Sequence, residues 1–136
     1  MIKLSILLFS ILTAACAGGY NPTYYFNEIQ VVNLSGATIS KVNLRISGSD
    51  KTLSCDEVAN NAICHDHFAK RRYPQQEIDL SWTHGDGSQK SQQLTPAIPA
   101  YFRPVFGLRV MLEINEDGSV ESYFEQDEPD GFFYNN

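Results

Sequence analysis

Positive charge is scarce in this sequence. The 136 residues include 10 lysines and arginines against 16 aspartates and glutamates, which gives a formal net charge of −6 at pH 7. Residues 113–136 include eight aspartates and glutamates and no lysine or arginine. A surface of this composition offers no electrostatic footprint for nucleic acid or for anionic lipid head groups. The sequence therefore predicts no nucleic-acid partner, and any attachment to a membrane must come from something other than surface charge.

Catalytic sequence motifs are also missing. The chain has no Gly-x-Ser-x-Gly nucleophile elbow, no phosphate-binding loop and no His-Glu-x-x-His zinc motif. Neighbouring carboxylates could serve glycoside chemistry, but any acidic domain offers such pairs by chance. The sequence therefore predicts neither an enzyme nor a cofactor.

No hydrophobic run is long enough to span a membrane as a helix. The longest apolar segment follows Lys3, ends near Leu12, and is followed by Gly18, Gly19 and Pro22. A spanning helix needs about 20 apolar residues, and this run has roughly a dozen. A basic residue followed by a short apolar segment is typical of a secretory signal peptide.

The end of this segment identifies the kind of signal. The string Leu12-Thr13-Ala14-Ala15-Cys16 resembles the lipobox of bacterial lipoproteins, although Thr13 stands where that family most often has leucine. The resemblance implies a signal peptide over residues 1–15 and a diacylglyceryl thioether on Cys16. This lipid anchor would attach the mature protein to a membrane. Ala17 after the cysteine resembles the outer-membrane pattern, which implies a bacterial envelope protein on the outer membrane facing the periplasm. The alternative is an ordinary secreted protein cleaved near Ala15 or Ala17.

The rest of the chain is long enough for one domain with a single core. We expect a short linker over residues 16–24, a β-domain over 25–126 and an acidic, aromatic tail over 127–136. Once the lipobox resemblance assigns Cys16 to lipid, Cys55 and Cys64 are the two cysteines that remain. In an oxidising compartment they are expected to form a disulfide, the alternative being a reactive or metal-binding thiol pair.

Alternation of apolar and polar residues predicts a mainly β fold. Residues 38–47, 77–83 and 105–115 each show this period, and the last is predicted to be the longest and the central strand. We expect a small antiparallel β-sandwich, with immunoglobulin-like topology as one option and a small β-barrel as the alternative. The two cysteines lie too close in sequence for the inter-sheet bridge of an antibody-type domain.

Turn residues predict how the strands connect. Glycine with asparagine or aspartate at residues 33–36, 84–87 and 115–118 predicts three hairpins. Polar residues 88–95 predict an edge strand, followed by a proline-containing crossover loop. Ser54 and Glu57 resemble a capping box, which predicts one or two turns of helix inside the disulfide loop.

The densest group of possible metal ligands is Cys64-His65-Asp66-His67. In a strand His65 and His67 point to the same side, so the pair could bind a metal with His84 or Glu57 as a third ligand. Exposed surface histidines are the simpler interpretation. The basic run at residues 70–72 could bind a phosphate or an acidic partner. Alternatively, it could be a solvated loop.

These features lead to two functional hypotheses. The first is a membrane-anchored envelope lipoprotein with a non-catalytic binding or structural β-domain, which contacts an envelope protein through an edge strand or through its acidic, aromatic C-terminal segment. The second is a periplasmic metal-binding protein that uses His65 and His67.

Overall fold

The structure, a computed structural model, describes residues 21–127, and Cys16 and residues 128–136 of the predicted tail lie outside that range. All regular structure in the described part is β-strand, and no helix there is long and apolar enough to cross a membrane. The eight strands are β1 (Tyr25–Leu34), β2 (Ile39–Ile46), β3 (Thr52–Val58), β4 (Ile63–Arg72), β5 (Ile78–Thr83), β6 (Gln89–Leu94), β7 (Leu108–Asn115) and β8 (Val120–Gln126).

The strands form two sheets that pack face to face. The first sheet has the order β4-β1-β7-β8 and the second has the order β3-β2-β5-β6. The two sheets do not close into a barrel, so the predicted β-sandwich is confirmed and the barrel alternative is wrong. Neighbouring strands are antiparallel with one exception, since β1 and β7 run parallel. The immunoglobulin-like option stays a prediction.

The core comes from the residues that alternate inward on both sheets. In β7 the side chains of Leu108, Val110, Leu112 and Ile114 are fully buried, and β7 lies inside the first sheet between β1 and β8. The predicted central position is thus confirmed. The predicted length is wrong, because residues 105–107 belong to a turn and β1 and β4 are both longer than β7.

An aromatic cluster fills the core near the start of β1. The ring of Tyr73 packs edge to face against Phe26 and Phe124, with ring centroids 5.4 and 5.2 Å away. Such edge-to-face pairs add to the stabilisation from burial itself. Burial raises the pKa of Tyr73 to about 12.

Two of the three predicted hairpins are confirmed. Residues 84–87 join β5 to β6 and residues 115–118 join β7 to β8, with Gly87 and Gly118 in the left-handed conformation at φ of 85° and 81°. The hairpin predicted at residues 33–36 is wrong, because this turn leads from β1 in the first sheet to β2 in the second. The residues of this turn are typical of a hairpin, but β1 and β2 pair with other strands and not with each other.

The predicted helical turn is also wrong. Ser54 and Glu57 lie in β3, which pairs with β2 along its whole length. Pairing with β2 gives six of the seven residues of this segment a cross-strand neighbour, and Leu53 and Val58 are buried. A helix of one or two turns would bury less and form few hydrogen bonds, so the tertiary context overrides the capping pattern.

The predicted disulfide between Cys55 and Cys64 is confirmed, with a Cα–Cα distance of 6.2 Å. Cys55 lies on β3 and Cys64 on β4, which are edge strands of different sheets. The bridge therefore joins the two sheets despite its short loop. This is possible because residues 59–62 pass directly from the second sheet to the first, with Asn61 in a left-handed conformation at φ 64°.

We expect the double variant Cys55→Ala/Cys64→Ala to lower the free energy of unfolding by about 2.5–3 kcal/mol, the loop-closure entropy of so short a loop. Urea unfolding followed by far-UV circular dichroism measures this loss. The wild-type protein in reducing buffer serves as a control and should lose the same amount. A loss below about 1 kcal/mol would show that the β3–β4 connection is already ordered in the unfolded chain.

Candidate functional site

The outer face of the second sheet carries two rows of polar side chains that cross all four of its strands. In each row the residues are cross-strand neighbours, and none of them is apolar or aromatic. The rows, read from β3 to β6, are Thr52, Arg45, Asp79, Gln93 and Ser54, Asn43, Ser81, Ser91.

These two rows line a groove of about 780 Å³ on the sheet surface. This volume lies within the range of small-molecule sites, although most such sites are lined by apolar side chains. Leu44 and Leu80 form the floor through their backbone, while their side chains are buried in the core. The groove therefore lies over two core residues and is lined by polar side chains.

A β-bulge shapes this face of β2. The pairing of β2 with β5 shifts between Ser40 and Asn43, and Lys41 has a left-handed conformation at φ 51°. A bulge increases the local twist of a sheet and redirects the side chains next to it. The Asn43 amide donates a hydrogen bond to the Lys41 carbonyl at 3.2 Å, so the bulge also positions a groove residue.

Most polar groups in the groove make no bond within the described part of the chain. Among residues 21–127, the internal contact between groove side chains is the Ser54 hydroxyl donating to Asn43 Oδ1 at 2.8 Å. Arg45 and Asp79 are direct cross-strand neighbours on β2 and β5, yet they form no ion pair with each other. The groove thus presents uncommitted donors and acceptors side by side.

The outer face of the first sheet differs from the groove, since several of its charged side chains form ion pairs and hydrogen bonds with one another. The Arg109 guanidinium donates to Glu28 at 2.7 Å, to Glu125 at 2.8 Å and to Asp127 at 2.9 Å. Burial alone would raise the pKa of Glu28, but hydrogen bonds from Gln30 and Arg109 outweigh it and hold that pKa below its usual value. The hydrogen bond to Glu28 in turn raises the pKa of Arg109.

A second closed pair lies on the same face. The Tyr123 hydroxyl donates to Glu113 at 2.8 Å, and this hydrogen bond, together with some desolvation, raises the pKa of Tyr123 to about 12. These groups are thus engaged with one another, whereas most polar side chains of the groove make no internal bond within the described residues.

The structure places His65 and His67 on one face, as the alternation predicts. They lie on the outer face of the first sheet, where their cross-strand neighbours on β1 are Gln30 and Glu28. His84 is not with them, because it sits on the β5–β6 turn with its Nδ1 accepting from Trp82 Nε1 at 3.1 Å. Within residues 21–127, no three His, Cys, Asp or Glu side chains are grouped closely enough to hold a metal ion.

The other predicted features are placed as follows. Residues 88–95 contain the edge strand β6, as predicted. The basic residues 70–72 end β4, and Arg71 forms an ion pair with Asp50. The C-terminal segment predicted to contact a partner lies mostly beyond the described residues.

The groove itself was not predicted from the sequence. The signal present there was the polar half of the alternating pattern, which marks outward positions but does not say which of them meet. Only the strand order β3-β2-β5-β6 brings Thr52 and Gln93 into one row.

Comparison with known proteins adds little to this site. No protein-family model matches the chain, and no curated protein matches it. An NMR structure of a protein from Eubacterium rectale has a TM-score of 0.47 and 15% sequence identity, covering 80% of this chain and 94% of that one. The functional interpretation depends on the residues themselves.

Proposed function

We propose that this chain is a bacterial envelope lipoprotein, anchored through Cys16 to the outer membrane, whose β-sandwich binds a polar, hydroxyl-rich ligand such as a glycan in the groove of the second sheet. The lipobox resemblance supports the anchor and the location. The observation that carries the binding role is the pair of rows of uncommitted polar side chains across β3, β2, β5 and β6.

The chemistry of the groove favours a ligand rich in hydroxyl groups. Serine and threonine hydroxyls and the amides of Asn43 and Gln93 both donate and accept hydrogen bonds, as sugar hydroxyls do. An apolar ligand would cover these groups without replacing their bonds to water, which costs free energy for each group. A polyanion is disfavoured because Arg45 stands beside Asp79.

Binding without catalysis is the simpler role for this groove. An activated nucleophile needs a neighbouring base within hydrogen-bond reach. The hydroxyl of Ser54 donates to the Asn43 amide, which cannot act as such a base. The groove can therefore orient a ligand by hydrogen bonds while offering no such pair for acyl transfer.

Sedimentation with purified peptidoglycan sacculi, together with a panel of soluble neutral glycans, tests the proposal on the full-length protein in detergent. Loss of two hydrogen-bonding side chains in Asn43→Ala/Asp79→Ala should weaken binding by about tenfold or more, since each such bond contributes roughly 1 kcal/mol. The control Gln76→Ala/Glu121→Ala also removes one amide and one carboxylate, at exposed positions outside the groove.

The control variant should bind as the wild type does. Equal binding by the groove variant, or equal losses in both variants, would rule out the groove as the site. If the wild type binds neither sacculi nor any glycan of the panel, the hydroxyl-rich ligand is the wrong chemistry.

A second candidate is an envelope protein that adds a strand to β6. This strand is at the edge of the second sheet, and no strand within residues 21–127 pairs with its outer side. Exposed edges of this kind accept an extended segment of a partner. Crosslinking from β6 in intact cells would capture such a partner, and the groove variant would leave that product unchanged.

A further inference from the structure

The charges of the sandwich are unevenly distributed between its two ends. We call the end where β1 begins the linker end; its loops are residues 47–51, 73–77 and 95–107. The loops of the opposite end, residues 35–38, 59–62, 84–88 and 116–119, contain acidic residues but no lysine or arginine, and two lysines, Lys41 and Lys90, lie at the strand ends beside these loops. Counted with the strand ends beside its loops, the linker end carries the basic residues Lys51, Lys70, Arg71, Arg72 and Arg103 and the acidic residues Asp50, Glu77 and Asp127, and Glu128 and Asp130 follow next in the sequence.

The linker end also carries two highly exposed apolar side chains. Tyr101 is 82% exposed and Val105 is 71% exposed, more than any other large hydrophobic residue described. Both belong to the 95–107 loop, which is held by hydrogen bonds from the end of β8. The Gln126 amide donates to the carbonyls of Arg103 and Phe106 at 2.7 and 3.2 Å. The loop thus holds Tyr101 and Val105 outward at the cost of their exposure to water.

The chain enters the sandwich at this same end. Pro22 and Tyr24 line a cavity of about 340 Å³ together with Phe102 and Pro104 of the loop. The Tyr24 hydroxyl lies 3.4 Å from the Phe102 carbonyl oxygen, to which it donates. The segment before β1 is therefore packed against the loop that exposes Tyr101.

The length of chain before this point limits the distance to a lipid anchor. Asn21 is five positions after Cys16, a span of at most about 18 Å when fully extended. The 10 residues of β1 extend for about 33 Å toward the opposite end. An anchor on Cys16 therefore keeps Asn21, and with it the linker end, within about 18 Å of the bilayer surface, while the opposite end can lie much farther away.

We propose that the linker end docks on the membrane surface, with Tyr101 and Val105 in the head-group layer and Lys70 and Arg72 facing anionic phospholipids. This inference rests on the proposed lipidation of Cys16. Tyrosine suits the interface because its ring is apolar and its hydroxyl is polar. Basic residues close to an anionic surface are attracted to it, even when the protein as a whole is acidic. The net negative charge of the whole chain therefore does not prevent the basic residues of the linker end from being attracted to anionic phospholipids.

Site-specific labelling of the full-length lipoprotein in vesicles tests the docking. With Cys16 lipidated and Cys55 and Cys64 in a disulfide, a cysteine introduced by Tyr101→Cys is the free thiol for an environment-sensitive fluorophore. In vesicles with anionic phospholipid, we expect a blue-shifted emission that brominated lipids quench. The matched label Thr38→Cys, at an exposed position of the opposite end, should stay in water and show neither effect.

Charge variants measured with the Tyr101→Cys label test the role of the basic residues. Lys70→Gln/Arg72→Gln should reduce the ratio of docked to undocked protein by about tenfold or more, given roughly 1 kcal/mol for each basic residue near the surface. The control Lys41→Gln/Lys90→Gln changes the net charge equally but lies outside the linker end, and should leave the ratio unchanged.

Flotation of the protein with vesicles separates this inference from the proposed lipidation. Protein that floats while the label at position 101 stays in water overturns the docking and leaves the anchor intact. Equal quenching at positions 38 and 101 overturns the proposed orientation. Protein that does not float overturns the anchor, and the docking with it.

Discussion

Cys16→Ser is expected to transfer the protein from the membrane fraction to the soluble fraction of the envelope. The thioether on the cysteine sulfur is the attachment point that the lipobox resemblance implies, and serine has no thiol for it. Two or more acyl chains anchor a protein stably, whereas no chain leaves only weak surface contacts. The loss should therefore be nearly complete, and larger than the effect of any change at the linker end.

Labelling of cells with a clickable palmitate analogue, followed by fractionation, measures this change directly. Thr13→Leu is a suitable control, because it places leucine where the lipobox family most often has it and should label at least as well as the wild type. Labelling of wild type and Cys16→Ser to the same extent, or of neither, would favour the ordinary secreted protein cleaved near Ala15 or Ala17. The mass of the mature amino terminus distinguishes these products.

Features that depend on neighbouring residues were predicted well from the sequence. The alternation in residues 77–83 and the turn at residues 84–87 identified β5 and its hairpin to β6, because side-chain direction and turn geometry are local properties. The pairing of Cys55 with Cys64 followed from counting cysteines once Cys16 was assigned to lipid. The sandwich class followed from many short strands with turns at close intervals.

Features that depend on which strands become partners were not predicted. The turn at residues 33–36 has the composition of a hairpin, but β1 pairs with β4 and β7, both distant in sequence. The parallel pairing of β1 with β7 leaves no local signal, since it forms between segments separated by more than half of the domain. The groove was missed for the same reason, because Arg45 and Asp79 become neighbours only through the pairing of β2 with β5.

Asn33 shows why the turn at residues 33–36 leads to the other sheet. Its side chain is fully buried, and its amide nitrogen donates to the carbonyls of Ala37 at 2.7 Å and Val58 at 2.9 Å. Its oxygen accepts from the backbone nitrogen of Ser35 at 3.0 Å and from the Ser35 hydroxyl at 2.6 Å. One side chain thus ties the end of β1 to the entry of β2 and to the end of β3, across both sheets.

Asn33→Ala should therefore lower the free energy of unfolding by about 3–4 kcal/mol, because it leaves several buried polar groups without partners at roughly 1–3 kcal/mol each. Asn60→Ala is the matched control, since Asn60 is exposed and accepts one bond, from the Gly36 backbone nitrogen at 2.9 Å. Its loss should stay below about 1 kcal/mol. Urea unfolding of both variants, followed by the fluorescence of the single tryptophan, Trp82, gives the comparison.

Asn33→Asp separates hydrogen bonding from side-chain shape. Aspartate has nearly the same size, keeps the acceptor for Ser35, and loses the donor to Ala37 and Val58 when it is ionised. A buried carboxylate facing two carbonyl oxygens is disfavoured, so its pKa should be raised, and the variant should gain stability as the pH falls through that raised value toward the ordinary pKa of aspartate. If Asn33→Asp were as stable as the wild type at neutral pH, water would be replacing the two donated bonds, and the joining of the sheets through Asn33 would be wrong.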